Sequence, residues 1–278
     1  MHQALTSTLT LVWYFVQAYV LGSCLYAISS AGIFLLFYNK IKRLFTRSDA
    51  STTGISTRFV LLIPAHNEAR LLPGLLASIQ RLKYPAELYK TVVIADNCTD
   101  NTAAIAKRAR GVLCLERTTP DRSDKAQALQ YASGKLPFQG DSPEAVVCII
   151  DADCALADDY LLELDKMYSQ PGAASVVQSF RSVSNAFESD VTILDAAAEA
   201  LRQWVLLGTR KLLGQGAFLL GLGCSMRQSV FDELAALPVT SLAEDKEWKI
   251  HLTKKHARGL LPHGSPELRG RMRCKGVS

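Results

Sequence analysis

The sequence predicts an α/β fold: a mostly parallel sheet flanked by helices and preceded by one membrane-spanning helix. Three observations predict it. From Phe59 onward, short apolar runs of strand length alternate with stretches of helical length, the pattern of βαβ units. Acidic and amide residues gather at the carboxyl ends of three of those runs, where open α/β sheets bind ligands. Ahead of all this, no charged side chain occurs from Gln3 to Asn39.

The uncharged run comes first in the chain. Leu9 to Tyr38 is almost entirely apolar or small, and about 20 apolar residues cross a bilayer. The run suffices for one tilted or extended helix and is too short for two. It lacks the charged start and short core of a cleaved signal peptide. Lys40, Lys42, Arg43 and Arg47 follow at once, and positive charge marks the cytoplasmic flank. Trp13, Tyr14 and Tyr38 lie near the two ends, as interfacial aromatics do. Residues 1–39 are therefore expected as a single-pass anchor and 40–57 as a basic juxtamembrane linker, Ser-, Thr- and Gly-rich toward its end. A cytosolic domain is expected over 58–255, followed by a tail over 256–278.

Within the domain, Phe59 to Ile63 reads as a first strand stopped by Pro64, and Leu71 to Leu82 as an amphipathic helix. Thr91 to Ala95 is a second strand, Thr102 to Arg110 a helix and Gly111 to Leu115 a third strand. Lys125 to Ala132 is a helix. Val146 to Ile150 is a fourth, fully buried strand that ends in Asp151-Ala152-Asp153. The strand is ending there and the chain must turn, so both carboxylates can reach one ligand. Hard oxygen ligands suit Mg²⁺ or Mn²⁺, ions usually shared with substrate phosphates. The alternative is a strand closing in solvated aspartates. The other ends give Pro64-Ala65-His66-Asn67-Glu68 and Asp96-Asn97-Cys98-Thr99-Asp100, where Asn67 or Asp100 can also simply cap a helix.

Composition narrows the class. The net charge is +5, but Lys254 to Ser278 holds seven Lys or Arg against one Glu, so the rest is close to neutral. No aromatic-interleaved basic patch supports nucleic-acid binding, and a negatively charged membrane surface accounts for the juxtamembrane bases. The seven cysteines form no Cys-x-x-Cys pair, which argues against zinc and for free thiols. There is no Gly-x-Gly-x-x-Gly after the first strand and no Gly-x-x-x-x-Gly-Lys-Ser/Thr, so neither a dinucleotide fingerprint nor a P-loop is present.

Phe59 to about Lys255 resembles the family 2 glycosyltransferases, inverting enzymes of GT-A fold that use nucleotide-diphospho-sugars. Within that family it looks most like the membrane-bound members related to cellulose, hyaluronan and poly-N-acetylglucosamine synthases. The resemblance rests on Pro64-Ala65-His66-Asn67-Glu68, Asp96, Lys125 with Ala128-Leu129, Asp151-Ala152-Asp153 and Glu244-Asp245, in that order. It implies a nucleotide-sugar site made of Pro64, Ala65, Asn67, Glu68, Asp96, Lys125 and Asp151. Glu68 and Asp96 would face uracil and ribose, and Asp153 would ligate Mg²⁺ or Mn²⁺. It makes Asp245, beside Glu244, the general base of an inverting transfer, although acids at a helix start are also favoured by the helix dipole. Gly223, Cys224 and Ser225, in a flexible loop, would lie near the acceptor. The implied partners are a nucleotide-diphospho-sugar donor, probing UDP-sugars first, a saccharide or lipid-linked acceptor and a membrane, here a bacterial inner membrane. Polysaccharide biosynthesis is the implied role.

Several features depart from the pattern. Asp124 stands where a small residue is usual, an extra carboxylate that must point away from a diphosphate. Lys125 itself reads equally as a solvated helix lysine. Glu188 to Leu213 reads as a long helical stretch whose apolar end, Trp204 to Leu213, either lies at the membrane interface or packs on the sheet. The Gln-x-x-Arg-Trp motif of the processive synthases is absent after Glu244-Asp245. His256 to Ser278 is basic, Gly-rich and without apolar period, as disordered segments are. These departures keep open a catalytically inactive nucleotide-sugar-binding membrane protein. A metal-dependent nucleotidyltransferase is the third class, against which Glu244-Asp245 argues.

Overall fold

In the computed structural model, residues 2–46, 54–120, 124–140, 144–169, 175–213, 222–238, 244–257 and 267–274 are described. The chain opens with α1 (His2–Thr46), interrupted only at Phe37, whose backbone (φ −114°, ψ 19°) leaves the helical region. There follow β1 (Phe59–Ala65), α2 (Leu72–Ile79), β2 (Tyr89–Asp96), α3 (Thr102–Arg108), β3 (Val112–Arg117), α4 (Lys125–Ala132) and β4 (Val146–Ile149). Every strand and helix expected in this half is present.

β1 pairs in parallel with β2 on one side and β4 on the other, and β3 extends the sheet beyond β2. The chain thus winds outward from β1 to β3, then returns to the far side of β1. That reversal is a topological switch point, and it opens a crevice at the carboxyl ends of β1 and β4. Alternation along β1 feeds two cores. Phe59, Leu61 and Ile63 pack toward α2 and α5 (Tyr160–Tyr168), while Val60 and Leu62 pack toward α4 and α8 (Gln228–Ala235). All five are fully buried, about 1.5–3 kcal/mol each from removal of apolar surface from water.

Pro64 does not stop β1. The carbonyls of Arg58 and Leu62 accept from Val146 N and Ile150 N, so even-numbered residues of β1 address β4. Pro64 lies one step past the last β1–β4 pair, Leu62 with Ile149, and its missing N–H breaks no ladder bond.

The second half is antiparallel and mixed. β5 (Cys154–Leu156), β6 (Val176–Val183), β7 (Cys224–Arg227) and β8 (Glu267–Cys274) give the order β3-β2-β1-β4-β7-β6-β8-β5. Two expectations are corrected here. Cys224 and Ser225 are not in a flexible loop: they are buried in β7, opposite Ile149 and Cys148 of β4. Only Gly223 turns, at φ +68°, a conformation glycine reaches without a Cβ clash. And within the expected tail, Glu267–Cys274 forms β8, because the open edges of β6 and β5 supply backbone partners that need no apolar period. Cys24, Cys98, Cys114, Cys148 and Cys224 are free thiols as expected. Cys154 instead is disulfide-bonded, in a register that sets it opposite Cys274.

Between β6 and β7 lie α6 (Asp190–Ala200), a π-helical stretch Leu201–Leu207 and α7 (Gly208–Leu212), one continuous helical run. Val205 and Leu207 are buried, so this part of the run packs inward. α9 (Glu244–Ala257) follows α8, and Trp248 stacks edge-on against Phe231 at 6.5 Å.

Asp165 of α5 fixes the entry to β1. Its buried carboxylate accepts from Thr57 N (2.9 Å) and the Tyr84 hydroxyl (3.1 Å), and Tyr84 also donates to the Thr57 carbonyl (2.7 Å). Burial first, then the Asp165 charge, hold the Tyr84 hydroxyl protonated. Asp165→Ala strands these donors and is expected to cost about 1–3 kcal/mol. The check is thermal unfolding in detergent, where an unchanged midpoint would show that the cluster contributes nothing.

Candidate active site

The loops after β1 and β2 are laced together before any ligand is considered. Asn67 adopts the left-handed region (φ +56°), tolerated by Asn better than by most residues. Its Oδ1 accepts from Thr99 N (2.8 Å), Thr99 Oγ1 (3.2 Å) and Asp100 N (3.3 Å). Asp100 Oδ1 accepts from Thr102 N (2.9 Å) at the start of α3, and Asp100 Oδ2 from Ala69 N (3.0 Å). Thr102 Oγ1 in turn accepts from Glu68 N (2.8 Å). The Ala65 carbonyl accepts from Cys98 Sγ, and Pro64 stays in the strand. Asn67 and Asp100 are thus framework, and their product is a fixed position for Glu68.

Glu68 faces the β4 turn. Its carboxyl is raised by partial burial, then by the charges of Asp153, Asp151 and Asp100, with His66 opposing. Asp153, half-buried, is raised by burial and then by Asp151, with Arg181 and Lys125 opposing. The turn that brings the two aspartates together is closed by Cys154 N donating to the Asp151 carbonyl (3.2 Å). Glu68, Asp151 and Asp153 thus lie close enough at the switch point for their charges to act on one another.

Lys125 is not a solvated helix lysine. Its Nζ lies 2.6 Å from Asp151 Oδ1. Asp124, the departure from the family pattern, points away: it caps α4, accepting from Gln127 N at 2.9 Å. The cap fixes the first turn of α4 and with it Lys125.

Asp96 is buried and paired with Arg117 (Nη1–Oδ1 2.8 Å), and Arg117 Nη2 donates to Gln127 Oε1 (3.0 Å). Arg117 is a residue the sequence reading missed. The signal was available, since it ends the third strand and only the first, second and fourth ends were read. Arg181, also missed, lies in β6, a strand not assigned from sequence. Glu199 holds it at 2.6 Å, and Gln203 pairs with its peptide, accepting from Arg181 N (3.0 Å) and donating to Arg181 O (2.7 Å).

Asp245 lies in the first turn of α9, partly exposed. It opposes the burial and the Arg210 charge that lower the Lys249 ammonium. Among the described residues no hydrogen bond or ion pair joins Asp245 to Glu68, Asp151 or Asp153. The side chain of Glu244 lies outside the described residues. Beside α4 and α9, a cavity of about 170 Å³ is lined by Gln127, Gln130 and Trp248 among others. Trp248 Nε1 is buried without a hydrogen-bond partner among the described residues.

The donor set fits a divalent hard cation in part. It offers carboxylate oxygens held in mutual repulsion, which such an ion relieves. Among the described residues no three His, Cys, Asp or Glu side chains are grouped to hold an ion alone. Remaining oxygens would have to come from a substrate diphosphate, as is usual for Mg²⁺.

Comparison with known proteins bears on the family and the fold. The model of glycosyl transferase family 2 matches residues 60–235. The probable glycosyltransferase YdaM of Bacillus subtilis (strain 168) is 29% identical over 197 residues, 69% of this chain. The chain spans just 46% of that relative's length. Among solved structures, the mannosyltransferase PcManGT of Pyrobaculum calidifontis, in complex with GDP-Man and Mn²⁺, superposes with a TM-score of 0.60 at 22% identity. It covers 91% of this chain and 68% of its own. Glucosyl-3-phosphoglycerate synthase of Mycobacterium tuberculosis, with Mn²⁺, UDP and phosphoglyceric acid, gives a TM-score of 0.52 at 19% identity, over 86% and 75% of the two chains. At these identities the likeness establishes the fold.

The Asp96–Arg117 pair generates a stability prediction. Arg117→Met takes the guanidinium away from buried Asp96, which is expected to cost about 3–5 kcal/mol, and adding Asp96→Asn should restore most of it. Thermal unfolding of the single and double variants decides: a single variant as stable as wild type would mean that Asp96 is solvated.

Proposed function

The chain belongs to glycosyltransferase family 2, and from that premise we propose that it is a membrane-anchored enzyme that moves a sugar, with inversion, from a UDP-sugar to a saccharide or lipid-linked acceptor. It is a nucleotide-sugar-dependent glycosyltransferase of GT-A fold. The observation that carries the finer reading is the Lys125–Asp151 pair at 2.6 Å in the turn after β4, where the charges of Asp151 and Asp153 act on Glu68. Two structural neighbours, one in complex with GDP-Man and Mn²⁺ and the other with Mn²⁺, UDP and phosphoglyceric acid, support a divalent ion here as well.

In this reading Asp153, assisted by Asp151, would hold Mg²⁺ or Mn²⁺, which would supply Lewis-acid stabilisation of the leaving diphosphate's charge. Glu68 and Asp96 define the nucleoside side, Asp96 with its carboxylate oriented by Arg117. Lys125 and Arg181 supply fixed positive charge beside the carboxylates. The acceptor hydroxyl attacks the anomeric carbon from the face opposite the diphosphate. Its oxygen bonds to that carbon, the bond to the diphosphate oxygen breaks with its electron pair, and the hydroxyl proton passes to Asp245. Asp245 does not touch the carboxylate cluster, which suits a group that acts on acceptor alone. The Thr10–Lys40 helix, with Lys40 at its end, anchors the domain on the cytosolic side.

Two variants separate binding from chemistry. Asp153→Asn is expected to lose Mn²⁺-dependent UDP binding and transfer together. Asp245→Asn should bind UDP as wild type does and transfer about 10²–10⁴-fold more slowly, the usual contribution of a general base. Calorimetry with UDP and Mn²⁺, beside transfer from a panel of labelled nucleotide sugars, reads both. Unchanged UDP binding in Asp153→Asn removes the metal assignment, and wild-type transfer by Asp245→Asn removes the base. A wild-type chain that binds UDP and transfers from no donor is instead a nucleotide-sugar binder. For topology, a reporter fused after Ser278 should be active only in its cytosolic format; activity on the opposite side refutes the orientation.

A further inference from the structure

The α6 helix is inside out. Val191, Leu194, Ala198 and Leu201 recur at steps of three and four, which places them on one helical face, and all are exposed, Leu194 by 70%. Phe187, just ahead of the helix, is 91% exposed. The opposite face, Thr192, Glu199 and Gln203, is polar and buried. A helix that borders water carries the reverse arrangement.

The orientation is fixed by the polar face. Ser189 and Thr192 form a capping box, Glu199 binds Arg181 and Arg202, and Gln203 pairs with the Arg181 peptide. Turning the helix to hide its apolar side would strand all of these groups. The outward face therefore calls for an apolar medium.

α1 says which medium. Thr10 to Ser29 is exposed throughout and uncharged, about 20 residues or ~30 Å, the thickness of a hydrocarbon core. Contact with the domain begins where that length ends. Ser30 is buried, and its carbonyl accepts from Thr209 Oγ1 (3.1 Å) in α7, the same helical run that starts with α6. We propose that α6, with Leu201 at its end, lies along the membrane interface, with Phe187, Val191, Leu194 and Leu201 in the boundary between headgroups and acyl chains. This rests on the membrane-anchored reading above, and it adds a second lipid contact, made by the catalytic domain itself.

Spin-label accessibility in the full chain tests it. The chain, carrying Cys24→Ser, is reconstituted into vesicles of phosphatidylcholine and phosphatidylglycerol. Nitroxides are placed singly at Leu194→Cys, Val191→Cys and Phe187→Cys, with Tyr19→Cys in α1 and Thr253→Cys in α9 as references. Signal from the Cys24→Ser parent is subtracted. Oxygen, which partitions into lipid, and a water-soluble nickel chelate are the two relaxers. The expected result is an oxygen-to-nickel ratio at the three α6 sites several-fold above that at Thr253→Cys, approaching Tyr19→Cys. Nickel access at the α6 sites with a lipid signature at Tyr19→Cys overturns the interfacial helix and keeps the anchor. Exclusion of both relaxers at the α6 sites overturns it in favour of a protein cover, such as a second copy. Nickel access at Tyr19→Cys overturns the anchor and, with it, the seat.

Discussion

Crowding of like charge at one point of the sheet is the constraint around which the rest is arranged. Parallel pairing of β1 with β4 sets Glu68 beside Asp151 and Asp153, and the carboxyls of Glu68 and Asp153 are raised by burial and by one another's neighbours. Such a cluster persists only with compensation. Lys125 supplies it on one side at 2.6 Å from Asp151, and Arg181 on the other. Each cation is itself held. Asp124 fixes the first turn of α4, and Glu199 with Gln203 fixes Arg181. The positive charge balances the carboxylates in part; in the function proposed above, a divalent cation arriving with a diphosphate would balance more of them.

The two halves of the sheet divide this work. The parallel half, β1 to β4, places the carboxylates, because its strand ends all point to one crevice. The antiparallel half brings the counter-charge. β6 reaches the site only because β7 turns back beside β4, with Gly223 N donating to the Ile149 carbonyl and Ser179 N to the Gly223 carbonyl. The residues expected in an acceptor loop thus serve as the seam between halves. Ser225, fully buried, hydrogen-bonds Tyr168 at 3.1 Å.

How much was legible in sequence follows from this division. β1 and β4 of the parallel half are buried on both faces and read as unbroken apolar runs, so Phe59 to Ile63 and Val146 to Ile150 were visible along with the charges at their ends. β6 carries Gln178, Ser179 and Arg181, and β7 is four residues long; neither has a run to see. β8 carries Arg269, Arg271 and Arg273 and pairs through its backbone with β6 and β5, which composition does not report. Arg117 was legible but unread, and Arg181 was hidden with its strand. Asp124 and Lys125 were ambiguous one at a time. Their meaning lies in geometry, one capping the helix and the other reaching Asp151.

The inverted polarity of α6 links the membrane side of the molecule to the site. A helix with an ordinary amphipathic pattern would turn leucines toward β6 and leave Arg181 without a counter-ion. Pairing between β6 and β7 ends at Gln178, so the Arg181 peptide has no strand neighbour on that side. Gln203 replaces that neighbour with its side-chain amide, and Glu199, one turn earlier, takes the guanidinium. Both come from the face that the apolar stripe displaces inward. A helix that gives its apolar side to lipid is free to give its polar side to the protein, and here that polar side holds Arg181, whose charge acts on Asp153. On the interfacial seat proposed above, one orientation of this helix would both meet the membrane and hold a cation for the carboxylates.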